Sequence, residues 1–176
     1  MRETPNNITK GETNIMSNLI KENLDILIEQ LKLHDEKTIN KTEGELSDLG
    51  FPHAEKYYKK ILQSLENAEK AIPENEHDKN QNDKNQKGYL KVLLQLQHAE
   101  SIAELFIRTI KYFKSKSAIP DIIGIIDWFK KTFFPWIKAL LKNIMTTLAC
   151  FTIPRGWHLS GTAGGLGVKA TLQIDF

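Results

Sequence analysis

The chain carries a single cysteine, Cys150, in 176 residues. A lone thiol closes no intramolecular disulfide, so nothing marks a secreted disulfide scaffold. The opening segment, MRETPNNITKGETN, lacks the apolar stretch of a signal peptide. The glycosylation patterns at Asn7 and Asn40 are accordingly read as chance matches. No window of roughly 18 uninterrupted apolar residues occurs, which excludes an ordinary spanning helix. Any membrane contact would be interfacial or would follow assembly.

Chemistry-bearing motifs are also missing. His34, His53, His77, His98 and His158 form no helical pair four residues apart, and Cys150 has no CxxC partner, so no zinc site is expected. Glu74, Glu76, His77 and Asp78 lack the ligand spacing and turn glycine of a calcium loop. Gly161, Gly164, Gly165 and Gly167 are glycine-rich, but a phosphate loop needs a helix to follow, and the remaining residues alternate as a strand. Nothing orients Cys150 and His158 as nucleophile and base, and the position of Cys150 after an apolar run suits a buried thiol. The titratable groups are dispersed rather than convergent. No catalytic residue, cofactor or metal is expected, and the chain is read as a non-enzyme.

What is present is an ordinary composition, 40% hydrophobic and 26% charged, in a length that suits one domain with tails. The net charge of +2 conceals an asymmetry. Residues 1–104 hold 14 basic against 19 acidic side chains, whereas residues 105–142 hold 8 basic against Asp121 and Asp127. A positive segment calls for an acidic counterpart, either an anionic membrane surface or the chain's own acidic half. Nucleic acid is not expected, because the same segment is full of Ile and Phe.

Apolar periodicity lays out four helices. Ile20, Leu24, Leu27 and Leu31 predict the first over about residues 15–34, after a disordered tail at 1–14. Residues 35–50 break the pattern. The second opens at Phe51-Pro52, carries Ala54, Tyr58, Ile61, Leu65, Ala68 and Ile72, and stops at Pro73. Residues 73–88, rich in Asn, Gln, Asp and Lys, read as a mobile linker. The third runs from about Tyr89 to Lys114 on the heptad Val92, Leu96, Ala99, Ala103, Phe106, Ile110 and Phe113.

The fourth helix, over 121–149, is the most distinctive segment. Gly124, Asp127, Lys131, Pro135, Lys138, Lys142 and Thr146 share a narrow face on a wheel of 3.6 residues per turn. Ile122, Ile125, Ile126, Phe129, Phe133, Trp136, Ile137, Leu140, Ile144 and Leu148 fill a broad opposite arc. Trp128 lies near the polar face and Phe134 at the arc's edge. Pro135 is expected to kink or divide the helix. Such a helix suits either a membrane interface or a docked position on a bundle.

After Cys150 the period changes. Trp157 and Leu159 alternate with polar residues, GTAGGLG supplies a turn, and Leu166, Val168, Ala170, Leu172, Ile174 and Phe176 alternate without a break. Residues 157–176 thus read as a β-hairpin, or as one strand with a looser partner, within a C-terminal β element over 151–176. An isolated hairpin is marginal in water and needs a partner surface. Trp157, Leu166, Val168, Leu172, Ile174 and Phe176 are the candidate assembly residues.

The expected architecture is mainly α: a four-helix up-down bundle over residues 15–150 with a short C-terminal β element. That layout resembles HeLo- and Bell-type cell-death proteins with amyloid signalling motifs, on the helices between residues 15 and 150 and on GWHLSGTAGGLGVKATLQIDF at the end. It implies a non-enzymatic, membrane-active effector. Self-assembly through the C-terminal element would drive residues 121–149 onto an anionic membrane as a pore-forming segment. Trp128, Phe129, Lys131, Phe133, Phe134, Trp136, Lys138, Leu140 and Lys142 are then the candidate membrane-binding residues. The expected location is cytoplasmic, with peripheral membrane attachment on activation. The alternative is a soluble helical adaptor or scaffold whose C-terminal strand adds to a sheet edge on a partner protein.

Overall fold

The computed structural model describes residues 10–48, 54–73, 81–114, 120–149, 157–164 and 167–174, with side chains at 15–38, 54–73, 83–112 and 123–149. Apart from the C-terminal residues, the described chain is helical. Helix α1 is Lys10–Asp48, α2 is Ala54–Ala71 and α3 is Gln81–Lys114. The fourth rod comprises α4 (Pro120–Trp128), a π turn (Phe129–Phe133) and α5 (Phe134–Ala149).

Cross-helix contacts set the direction of each rod. His34 meets Tyr58 while Lys32 pairs with Glu66, so α1 and α2 run antiparallel. Ala71 and Pro73 lie beside Gly88, Ser64 reaches His98, and Tyr58 packs on Phe106, so α3 turns back along α2. Phe106 meets Phe129, and Lys138 acts on Glu100, so the fourth rod turns back again. It closes against α1 as well as α3. The result is a helical bundle with one continuous core. Leu24, Ile61, Val92, Leu96 and Ile137 sit at 0% exposure within it.

Two expected boundaries are corrected. Helix α1 is not limited to 15–34; it begins at Lys10 and continues to Asp48, so part of the expected tail at 1–14 is helical. The apolar stripe ends at Leu31, but His34 and Thr38 continue its phase, and hydrogen bonds hold both polar side chains against the bundle. Tyr58 Oη lies 2.8 Å from His34 Nδ1, and Thr38 Oγ1 donates to the His34 carbonyl at 2.6 Å. Apolar periodicity alone misses a helix whose inward positions turn polar.

The expected linker at 73–88 is likewise shortened, since α3 already starts at Gln81. Residues 74–80 lie outside the described residues, as do 1–9. The polar first turns of α3 are used for packing. Asn85 is 8% exposed, and the Tyr89 hydroxyl lies 2.6 Å from Ser17 Oγ of α1. Gly88 faces the end of α2 so closely that a Cβ there would stand 2.7 Å from Pro73 Cγ and 3.0 Å from the Ala71 carbonyl oxygen. Gly88→Ala would ordinarily favour a helix interior by about 0.5–1 kcal/mol. Here the clash is expected to reverse the sign and cost roughly 1–3 kcal/mol, read as a lower urea midpoint with an unchanged slope.

Candidate functional site

The fourth rod meets the other three helices in a layer of rings. Tyr58, Phe106 and Phe129, from α2, α3 and the π turn, form a triangle of edge-to-face contacts with centroids 5.5, 5.6 and 5.7 Å apart. Such pairs add stabilisation beyond the area they bury. His34 of α1 completes the layer, 6.2 Å from Phe129 and stacked on Trp128 at 4.0 Å with the planes 12° apart. Phe133 and Phe134 extend it along the rod.

The polar members of this layer are joined by hydrogen bonds. Thr38 donates its proton to the His34 carbonyl and also pairs with the Tyr58 hydroxyl. The His34 tautomer sets which of Tyr58 Oη and His34 Nδ1 donates in their 2.8 Å hydrogen bond. Burial, helped by nearby Lys37, lowers the His34 pKa to about 4. Burial also pushes the Tyr58 phenol up. Next in sequence, burial raises the Asp35 carboxyl to about 6, reinforced by Glu55 and Glu36 and opposed by Lys59. Asp35 Oδ1 is buried with no hydrogen-bond partner.

The π turn decides which residues of the fourth rod face this layer. Its wide turn is closed by the Phe134 N–H donating to the Phe129 carbonyl, five residues back. Pro135 follows directly. A proline in an α-helix removes a donor and drives its ring into the carbonyl four residues earlier. The π turn widens the helix just upstream of that ring, so the rod continues instead of dividing. The extra residue also rotates everything after it by about 100° relative to an unbroken α-helix.

That rotation corrects the wheel. On an unbroken helix Trp136 falls inside the apolar arc, near one edge, and Leu141 just outside the opposite edge. In the structure Leu141 is buried at 4%, while Trp136 is only partly buried at the edge of the core. Phe129, Phe133, Ile137 and Ile144 are all at 0%, with Leu140 at 2%.

The candidate membrane-binding residues therefore divide. Phe129, Phe133 and Leu140 belong to the core; Trp128, Phe134 and Trp136 are half-buried against it; Lys131, Lys138 and Lys142 are exposed. Lys131 pairs with Asp127 at 2.8 Å on the same helix. Trp128 owes its position near the polar face to His34, the ring on which it lies. Among the candidate assembly residues, Trp157, Val168, Leu172 and Ile174 fall in described backbone, whereas Leu166 and Phe176 lie outside the described residues.

Sequence reasoning missed His34, Asp35 and Thr38 as members of the layer. The available signal was the phase of His34 and Thr38 with Leu27 and Leu31. It also missed the π turn, which was signalled by the four-residue steps Phe129, Phe133, Ile137 immediately around Pro135.

Among the described residues, no cluster of three or more His, Cys, Asp or Glu could hold a metal ion, and no helix is long and apolar enough to cross a membrane. No family model, curated protein or solved structure matches this chain.

The phase shift and the buried titratable groups can each be tested. Leu141→Ala should cost about 2–4 kcal/mol of stability and more than Trp136→Ala; an unbroken helix would reverse the order. The pH dependence carries two opposed signs. A neutral His34 contributes stability above pH 6.5 that is lost as pH falls towards 4, while Asp35 gains stability as its carboxyl protonates below about 6. Relative to the parent chain, His34→Phe should resist acidification from pH 7 to about 4.5 and Asp35→Asn should suffer from it, as read from urea midpoints.

Proposed function

We propose that this chain is a non-enzymatic helical adaptor. Its bundle keeps the aromatic face of the fourth helix for its own core, and its C-terminal strands recruit a partner chain by β-addition. The observation that carries this reading is the burial of Phe129, Phe133, Ile137, Leu140 and Ile144, at 0–2% exposure, in one core with the other three helices. A face already covered by Tyr58 and Phe106 is committed to the fold.

The C-terminal register supports the recruiting role. Trp157–Gly164 pairs antiparallel with Gly167–Ile174, placing Trp157 opposite Ile174, Leu159 opposite Leu172 and Ala163 opposite Val168. A two-stranded sheet has two open edges, each a row of backbone donors and acceptors that another strand can satisfy. A cytoplasmic location goes with this reading.

One observation favours a second reading. Trp128, Phe134 and Trp136 are each half-buried on the rod that also exposes Lys130, Lys131, Lys138 and Lys142. Aromatic residues beside lysines suit contact with an anionic membrane surface. Deeper insertion would require the bundle to open and Phe129 and Phe133 to leave their partners. It would also fit the resemblance to membrane-active cell-death effectors.

Flotation of the full chain with phosphatidylserine-containing vesicles separates the readings. An adaptor stays with the unbound protein, and Trp136→Glu changes nothing. Salt-sensitive flotation that Trp136→Glu abolishes would replace the adaptor with the membrane effector. In parallel, Leu172→Pro removes a strand donor and should lower the assembled mass in solution while leaving the far-ultraviolet helical signal intact. An unchanged mass would remove the recruiting role from the tail.

A further inference from the structure

Helix α1 has a second apolar line, on the side away from the core. Ile15, Leu19, Ile26 and Leu33 are 66%, 43%, 43% and 50% exposed. Leu19, Ile26 and Leu33 repeat every seven residues and Ile15 stands one turn earlier, so the four align along one side of the helix. From Ile15 to Leu33 the line is about 27 Å long at 1.5 Å per residue. Exposed Leu or Ile residues scattered singly need no explanation, but an aligned row at heptad spacing is the seam another helix packs against. Glu22, Glu29 and Glu36, all exposed, repeat at the same interval along one flank. The exposed Lys32 is directed elsewhere, towards Glu66 of α2.

The outward face of the fourth rod has the opposite character. Lys131 (which also pairs with Asp127), Lys138 and Lys142 are exposed, as are Pro135 and Ala139. From Lys131 to Lys142 the lysine row is about 17 Å long, shorter than the α1 ridge. A row of exposed aliphatic side chains flanked by glutamates is thus complementary in charge to an exposed face that carries lysines beside the small Pro135 and Ala139.

We propose that α1 of one copy docks through Ile15, Leu19, Ile26 and Leu33 on the Lys131–Lys142 face of the fourth helix of a second copy. The two surfaces differ, so the contact is heterologous. Every copy that offers its α1 ridge still has its fourth-helix face free for the next, and the assembly grows head to tail or closes into a ring. This contact is independent of the C-terminal strands. It gives the bundle its own means of bringing several C-terminal strand pairs together.

Charge exchange tests the pairing in the full chain. One variant carries Glu22→Lys, Glu29→Lys and Glu36→Lys; a second carries Lys131→Glu, Lys138→Glu and Lys142→Glu. All six sites are exposed, and far-ultraviolet circular dichroism checks that both variants fold. By sedimentation equilibrium the parent chain should associate with concentration. Each variant alone should associate about tenfold or more weakly, and an equimolar mixture of the two should recover the parent behaviour. The apolar ridge is tested separately: a chain carrying Ile26→Ser and Leu33→Ser should associate about tenfold or more weakly than the parent, with its charges untouched. A parent chain that stays monomeric, or variants that associate as the parent does, would overturn the proposal. In the second case the association would belong to the C-terminal strands.

Discussion

The contact among Tyr58, Phe106 and Phe129 ties three helices together at one level, and His34 brings in the fourth. Its members come from distant parts of the chain, so it cannot form until the whole topology is in place. The rings interlock edge to face, which fixes relative rotation as well as distance. Aliphatic layers above and below tolerate exchange of similar volumes more readily. The surrounding features serve this level: Trp128 covers the outer face of His34, and Thr38 joins Tyr58 and His34 through a short set of hydrogen bonds.

The π turn supplies Phe129 and Phe133 to that level despite Pro135. A proline near the middle of a long apolar helix would otherwise break it where the packing is densest. Widening the preceding turn accommodates the ring and shifts the phase of α5, so that Leu141 enters the core and Trp136 moves to its edge. The broad apolar face of the fourth helix is nonetheless kept: Phe129, Phe133, Ile137, Leu140, Ile144 and Leu148 are all buried, and only Trp136 leaves the core. In the folded bundle most of that surface meets protein.

Much of the helical layout was legible. The stripes of α2 from Ala54 to Ala68 and of α3 from Val92 to Ile110 are buried, as is the aliphatic stripe of α1 from Ile20 to Leu31. Less legible were the places where polar residues do apolar work. His34 and Thr38 extend α1 beyond its last leucine, and Asn85 and Gly88 begin α3 inside what reads as a linker. Composition cannot signal these, because their role depends on partners far along the chain, such as Tyr58 for His34 and Pro73 for Gly88. Of the candidate site residues, Lys131, Lys138 and Lys142 are exposed, and Phe129 and Phe133 are buried against core partners that lie far along the chain.

The most direct measurement is the thiol accessibility of single cysteines on the fourth helix. In a Cys150→Ser background, Trp136→Cys and Leu141→Cys are labelled with a water-soluble maleimide under native conditions. With the π turn in place, position 136 reacts readily and position 141 is protected until the bundle unfolds. Rapid labelling at 141 with protection at 136 would mean that the helix is unbroken in phase and that its aromatic face is arranged differently from the layer described above.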